Sequence, residues 1–437
     1  MIWWAILLMM AGILAVLFAT GLPVALAFLG VNAVGAWVFL GGEAGLDQMV
    51  RNASGAITSF ALVPIPLFIL MGELLFHCGL AYKAIEAIER LLFRLPARLS
   101  CVSIVGGTAF AALSGSSIAN TALLGSTLSS DMLKRGYSPT LALGPAMAAG
   151  SIAVLVPPST LAVMLGSLSG ISITKLLIGG IVPGLLMALG FLVYVIVVAK
   201  LNPEMAPARD DAAQFSLSER LVPFLRDVVP LFGIFIAVIG SMLTGIATPT
   251  EAAALGAMAA FIATILYGKL SMDGLAKALT ETAKVSVAIL FIIVASTTFS
   301  QILSFSGATT GLLNLVREID PTPFMLIMFM LGILLVLGCF IDQASMMLIT
   351  IPLFIPIANS AGIDLVWLGL MMLVVIELGL LTPPFGILLM VMQGAVPSVP
   401  LTTIYKAALP FILIEMVVLA LMFLIPELTT YLPSLVR

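Results

Sequence analysis

Charge is what this sequence has least of. Of 437 residues, 18 are Lys or Arg and 21 are Asp or Glu, so only 9% are charged, where a soluble domain carries about 25%. That excludes an ordinary soluble globular chain. No basic patch with interleaved aromatics is present, so no nucleic-acid partner is expected. Cysteine is nearly missing: Cys78, Cys101 and Cys339 are far apart and form no CxxC pair, which leaves a disulfide framework or a zinc site without support. The single histidine, His77, cannot build a metal centre alone. The first 20 residues lack a basic n-region and a small-residue cleavage site, so they read as a first span rather than a cleaved signal peptide.

Apolar residues fill the space. They make up 62% of the chain, and the mean hydropathy is +1.25. The charges cluster and leave uncharged runs at 1–42, 52–72, 136–174 and 176–199. A helix needs about 20 apolar residues to cross a bilayer, so the pattern predicts an all-α polytopic membrane protein with roughly ten to twelve crossings or half-crossings. The runs are continuous rather than alternating, which excludes a transmembrane barrel.

The chain then repeats itself. Thr20-Gly21-Leu22-Pro23 leading to Gly30 has a counterpart in Thr244-Gly245, Pro249 and Gly256. "FILMGELLFHCGLAYKAIEAIERLL" (68–92) falls over "ASTTFSQILSFSGATTGLLNLVREI" (295–319), "SGSS" (114–117) over "DQAS" (342–345), and "LVPPSTLAVM" (155–164) over "LLTPPFGILL" (380–389), at an offset near 226. Apolar composition does not place Pro-Pro pairs, so an internal duplication is expected. Repeat 1 covers 1–199 and repeat 2 covers 228–437. The polar connector 200–227 carries Lys200, Arg209, Arg220 and Arg226. Lys83, Arg90, Arg94, Arg98, Lys134 and Arg135 flank the first polar cluster, whereas the matching stretches hold Arg317, Glu318, Asp320 and Asp364. Basic loops stay cytoplasmic, so the two repeats are expected to be inverted.

Both flanks of 99–130 are basic, and about 32 residues is short for two crossings. A re-entrant hairpin with its tip at 114–117 is expected there, and a second one at 339–360 with its tip at 342–345. Unwound backbone at membrane depth is tolerated only where it is buried or lines a cavity. Eight of the fourteen residues in "LSGSSIANTALLGS" (113–126) are Ser, Asn, Thr or Gly, which marks where the helix breaks. Pro157-Pro158 and Pro383-Pro384 predict breaks in helices 139–166 and 365–395, because proline removes a donor and frees a carbonyl of the preceding turn. Exposed carbonyls and hydroxyls at half-helix ends can coordinate Na⁺. Close helix packing is the simpler use of a Ser/Gly cluster, but it does not account for the duplicated Pro-Pro pairs. Interfacial arms are expected at 80–95 and, on a weaker pattern, at 271–284. A terminal helix is expected at 403–425.

Intramembrane acids are candidates for function. Asp342 and Glu377 could bind a cation or accept bonds from exposed hairpin N–H groups. Glu251 follows Thr248 and Pro249 at a helix start and reads as a cap. Glu73 and His77 share one helix face, and Glu415 could face a partner helix or a polar crevice.

At these residues the chain resembles the large membrane (M, DctM-like) subunit of tripartite ATP-independent periplasmic (TRAP) transporters. The matching stretches are "MGELL" with "GLA", "SGSSIANTALLG", "LVPPS", "TGIATPTEAAALGA", "FIDQASMMLITIPLFIPI" and "GLLTPPFGILL", in family order over essentially the whole chain. The resemblance implies a Na⁺-driven importer of the bacterial inner membrane, working by an elevator motion of a transport domain against a scaffold. It implies one sodium site near Ser114, Ser116, Ala153, Val156 and Pro158, and a second near Gly338, Asp342, Gly379, Thr382 and Phe385. Ser117, Asn120, Ser345 and Ser159 are the substrate-facing candidates. It also implies a small four-helix membrane (Q) subunit, which is not expected to be fused to this chain, and a periplasmic binding protein that delivers a small organic acid of the C4-dicarboxylate, keto acid or sialic acid class. Three other readings stay open. One is a stand-alone Na⁺/divalent-anion symporter. Another is a channel. The last is an intramembrane serine protease, against which stand Ala112-Leu113-Ser114-Gly115 in place of G-x-S-G and the lack of a serine–glycine pair in the second cluster.

Overall fold

Glycine and proline punctuate the apolar runs and set the element order. The computed structural model describes residues 2–207 and 216–435, so Arg209 of the connector lies outside the described residues. The first half comprises α1 (Trp3–Ala19), α2 (Val24–Phe39), α3 (Glu43–Ile57), α4 (Pro64–His77), α5 (Leu80–Leu91), α6 (Arg98–Ser114), α7 (Ser117–Leu124), α8 (Ser130–Lys134), α9 (Pro139–Ser151), α10 (Thr160–Ser169), α11 (Ile173–Gly179) and α12 (Ile181–Leu201). The second comprises α13 (Leu217–Pro223), α14 (Val229–Leu243), α15 (Pro249–Leu266), α16 (Met272–Phe305), α17 (Ala308–Ile319), α18 (Pro323–Gly338), α19 (Gln343–Ser360), α20 (Leu365–Leu381), α21 (Ile387–Ala395), α22 (Leu401–Leu424) and α23 (Glu427–Ser434). Among the described residues, seven helical stretches are long and apolar enough to cross a membrane.

The helix starts follow from local chemistry. Thr248 and Glu251 form a reciprocal cap on α15: the Thr248 N–H donates to Glu251 Oε2 at 2.8 Å, and the Glu251 N–H donates to Thr248 Oγ1 at 3.3 Å. Glu73 meets His77 one turn away at 3.1 Å, at the end of α4. The arm α5 turns Leu80, Ala81, Ala84, Ile85, Ala87 and Ile88 inward, while Arg98 holds Glu89 at 2.9 Å and so ties the arm to the start of α6. Gly79 and Gly307, both with positive φ, open α5 and α17. That left-handed joint is where a chain turns out of a span without a Cβ penalty.

Two expectations are corrected. The stretch 271–284 is not a separate arm. It is the first part of α16, a single helix of 34 residues. The first half breaks at the equivalent place with Pro64 and Pro66, whereas no proline lies between Met272 and Phe305, so nothing stops the helix. The second arm is α17 instead, whose Gly311 lies under the Trp3 ring. The second hairpin does not begin at 339 either. Its leading helix is α18, and 339–342 is the turn between α18 and α19. Residues 323–338 contain no polar side chain after Thr322, so they read as an ordinary span.

Packing groups the helices into two clusters. In one, α4 lies on α15 and α16, and α2 lies on α16 and α3. In the other, α9 packs against α6, α7 and α22, and α20 packs against α18 and α22. The helices that lead into the Pro-Pro pairs are the most enclosed: α9 is buried from Leu141 to Ser151 and α20 from Leu368 to Leu381.

Candidate functional site

The first tip is built by glycine and serine. Helix α6 ends at Ser114, Gly115 takes φ +60°, and Ser116 is extended. Ser116 Oγ then accepts from the Ala119 N–H at 3.3 Å and caps α7, while Ser114 Oγ accepts weakly from the Ser116 N–H at 3.5 Å. Opposite the tip, α9 stops at Ser151 and one tight turn, Ile152–Val154, leads into Pro157-Pro158. Ser159 Oγ accepts from the Ala162 N–H at 3.2 Å and starts α10. The tip rests directly on this break. A Cβ on Gly115 would lie 2.5 Å from the Pro158 carbonyl oxygen, and Thr160 Oγ1 donates to the Gly115 carbonyl at 3.1 Å. Ser114, Ser116 and Pro158 therefore meet at one place. The turn holding Ala153 touches α6 and α7, and Val156 packs against Gly184 of α12.

The second tip uses an acid where the first uses serine. Asp342 Oδ2 accepts from the Ala344 and Ser345 N–H groups at 3.0 and 3.2 Å, and its Oδ1 accepts from Ser345 Oγ. Gly338 and Gly379 meet backbone to backbone: a Cβ on Gly338 would lie 2.7 Å from the Gly379 Cα. Thr382 Oγ1 donates back to the Leu378 carbonyl at 2.6 Å. Phe385 is exposed and faces the Phe340 ring across 6.0 Å, and Tyr405 anchors the break by donating to the Pro384 carbonyl at 2.5 Å.

One residue joins the two tips. Glu377 is fully buried on α20. Its Oε1 accepts from Ser117 Oγ of the first tip at 2.7 Å and from Gln343 Nε2 of the second. The sequence leaves Glu377 between binding a cation and accepting from hairpin N–H groups; here it accepts from side chains of both tips, and its partner Ser117 is 260 residues away. Ser117 and Asn120 both turn donors to the protein. Asn120 Nδ2 donates to the carbonyls of Gly107 and Ala149 at 2.9 and 2.7 Å, which staples both arms of the hairpin to α9. Ser345 is buried against Asp342 and Ser159 is buried at its cap. Among the described residues no Lys, Arg or His pairs with Asp342, Glu377 or Glu415, and no group of three His, Cys, Asp or Glu could hold a transition metal.

Hairpin tips of hydroxyls and backbone oxygens, each seated on a broken helix inside an all-helical bundle, define a polytopic membrane protein of the secondary-transporter kind. The comparisons with known proteins agree. Residues 11–428 match the family model of the tripartite ATP-independent periplasmic transporter, DctM component. A C4-dicarboxylate TRAP transporter large permease, DctM of Pseudomonas aeruginosa, is 33% identical over 378 residues, covering 86% of each chain. The sialic acid TRAP transporter large permease SiaM of Vibrio cholerae is 30% identical over 97% of each chain. The 2,3-diketo-L-gulonate permease YiaN of Escherichia coli is 29% identical over 94% of this chain and 95% of its own. In fold, the chain is similar to the crystal structure of the Alcanivorax borkumensis YdaH transporter, with a TM-score of 0.61 at 15% identity over 94% of this chain and 97% of that one. The chain belongs to the DctM family of TRAP transporter large permeases and is a protein of the bacterial inner membrane. Its relatives are transport permeases rather than enzymes.

Proposed function

We propose that this chain is the permease through which a small organic acid enters the cell, driven by Na⁺ held at the two tips and moved by an elevator displacement of the tip-bearing helices. The observation that carries this reading is the paired contact of Gly115 on Pro158 and Gly338 on Gly379. The first contact sets the Pro158 carbonyl oxygen against the first turn, and the second sets the end of α18, beside the 339–342 turn, against α20 just before its break. Carbonyl and hydroxyl oxygens at such turns and breaks suit Na⁺ and need no charged side chain. The relatives named above act on C4-dicarboxylates, sialic acid and 2,3-diketo-L-gulonate, so an organic acid of that class is the proposed substrate. A four-helix Q subunit and a periplasmic binding protein complete the transporter. The decisive experiment is uptake in proteoliposomes with Na⁺, the Q subunit and the binding protein omitted in turn. Loss of uptake on each omission is expected. Full uptake by this chain alone would move it to the stand-alone divalent-anion symporters.

Inversion of repeats 1–199 and 228–437 is part of the proposal. In its support, each arm packs against the opening of the other half's first helices: α5 against α13 and the helical stretch Phe224–Val228 that joins it to α14, and α17 against α1. Single cysteines at 209 and 364 are expected to label from the cytoplasmic and the periplasmic side respectively. Strong outside labelling at 209 with none at 364 would sink the inversion.

Ser116 gives a test of the first tip. Ser116→Ala removes a candidate ligand and also the α7 cap, while Ser116→Gly removes the hydroxyl at little cost in capping. Both are expected to raise the Na⁺ concentration for half-maximal uptake about fivefold, the equivalent of roughly 1 kcal/mol for one polar contact. If Ser116→Gly leaves the Na⁺ dependence unmoved, the hydroxyl is a cap and nothing more.

A further inference from the structure

Glu415 lies within α22 and is wholly buried. Its Oε1 is hydrogen-bonded to Ser151 Oγ, on the last residue of α9 before the break. Its Oε2 has no partner among the described residues. Ser151 Oγ also lies 2.9 Å from the Ala148 carbonyl oxygen. A serine hydroxyl carries one proton and a carbonyl carries none. The Ala148 carbonyl already accepts the Ile152 N–H, so the hydroxyl proton can go to either acceptor, and the unpartnered Oε2 in a buried site is what favours a protonated acid. A carboxylic acid that donates through Oε1 leaves Oε2 as a neutral acceptor, which is far cheaper to bury without a partner than an anionic oxygen.

We propose that Glu415 is a proton-binding site, a neutral carboxylic acid whose O–H donates to Ser151 and fastens α22 to the end of α9. The helices packed against α22 bring few ionisable groups to it. Helix α20 brings Glu377, a second acid. Helix α12 brings Tyr194, whose ring meets Phe411 one turn from Glu415 at 5.2 Å, and Lys200 near its end. Helix α23 brings Glu427 and Tyr431, and α22 itself carries Tyr405, bonded to the Pro384 carbonyl, and Lys406. Helices α9 and α21 bring none. No lysine or arginine forms an ion pair with Glu415 among the described residues. The interface is otherwise tight and apolar, with the Phe411 ring and the Ala407 carbonyl seated on Gly144.

The consequence is directional. The proton is held at low pH and lost as the pH rises through the site's own range. Once ionised, Glu415 is a buried anion, and Ser151 can donate to it only by leaving Ala148. The link between α22 and the last turn of α9, which runs into Ile152–Val154 against the first tip, is then remade with its proton reversed. Proton binding and the arrangement of that tip are thus linked, and the linkage acts in both directions.

Infrared spectroscopy of the purified chain in lipid membranes tests the site without substrate or Na⁺, so its outcome is separate from that of the proposed transport reaction. A carbonyl stretch of a protonated buried carboxyl is expected in the titration from about pH 5 to pH 9. It should vanish in Glu415→Gln, shift in Glu415→Asp and persist in Glu377→Gln. Absence of such a band in the unaltered protein at every pH, or its survival in Glu415→Gln, overturns the proposal. In the complete transporter, the ratio of uptake on the acid side to uptake on the alkaline side of that titration is expected to be about fivefold. In Glu415→Gln, which keeps a donor towards Ser151, the ratio should fall near one. An unchanged ratio there also overturns the proposal.

Discussion

Glu377→Leu is expected to abolish uptake and to loosen both hairpin tips at once. The leucine fills similar space but accepts no hydrogen bond. Ser117 Oγ and Gln343 Nε2 would both lose the oxygen they share. Each buried polar group left unsatisfied costs about 1–3 kcal/mol, and here two such losses fall on the two turns that carry the proposed ion sites. Glu377→Gln keeps an amide oxygen for both donors and is expected to retain part of the activity. Hydrogen exchange at 115–119 and 341–345 gives the structural readout. Both segments should lose protection together in Glu377→Leu, because one side chain serves both. Ser117→Ala combined with Glu377→Leu should cost less than the sum of the two, since the residues are in contact. If the tips exchange independently, or uptake survives Glu377→Leu, the carboxylate is a passive core group.

The role of Glu377 also shows where sequence reading reaches its limit. The two Pro-Pro pairs and the Ser/Gly cluster were legible because proline and glycine act locally: each changes the backbone where it stands, whatever surrounds it. Composition was enough to set the all-helical membrane class, and the motif order was enough to point to the family. The arm at 271–284 was misplaced because an amphipathic pattern gives no sign of where a helix stops, and the sequence between Met272 and Phe305 has no breaker. Helix α18 does not stand out as the partner of α19 because its residues are wholly apolar, like those of an ordinary span. Hydrogen bonds between halves leave no mark in a single sequence at all. Ser117 and Asn120 are substrate-facing candidates in the sequence, yet both are buried, one bonded to Glu377 and the other stapling α7 to α6 and α9.

The Gly338–Gly379 contact carries the other large effect; the family resemblance places both glycines near the second sodium site, but nothing in the sequence says that they touch. Their α-carbons pack so closely that a Cβ on Gly379 would lie 2.6 Å from the Gly338 Cα, and one on Gly338 would lie 2.7 Å from the Gly379 Cα. The obstacle is backbone in both cases, so no rotamer change relieves it. Close helix approach through small residues is a recognised means of association in membranes, where burial of apolar surface gives little drive. Gly338→Ala and Gly379→Ala are each expected to push the second tip off α20 and to cut uptake by about 5- to 150-fold, the range matching an overpacking cost of roughly 1–3 kcal/mol. Gly332→Ala is the internal control: it lies on the same helix, α18, with no atom within 4 Å of the added Cβ, and alanine is the better helix former. The control should transport normally and melt no earlier than the unaltered chain. The two contact variants should remain folded, because α18 and α20 still pack elsewhere along their lengths, but the Na⁺ requirement should rise with the loss of uptake, since the displaced turn carries Asp342 and the backbone oxygens around it. If all three alanine variants transport alike, close contact of the second tip with α20 is not a condition of transport, and the second proposed sodium site falls with it.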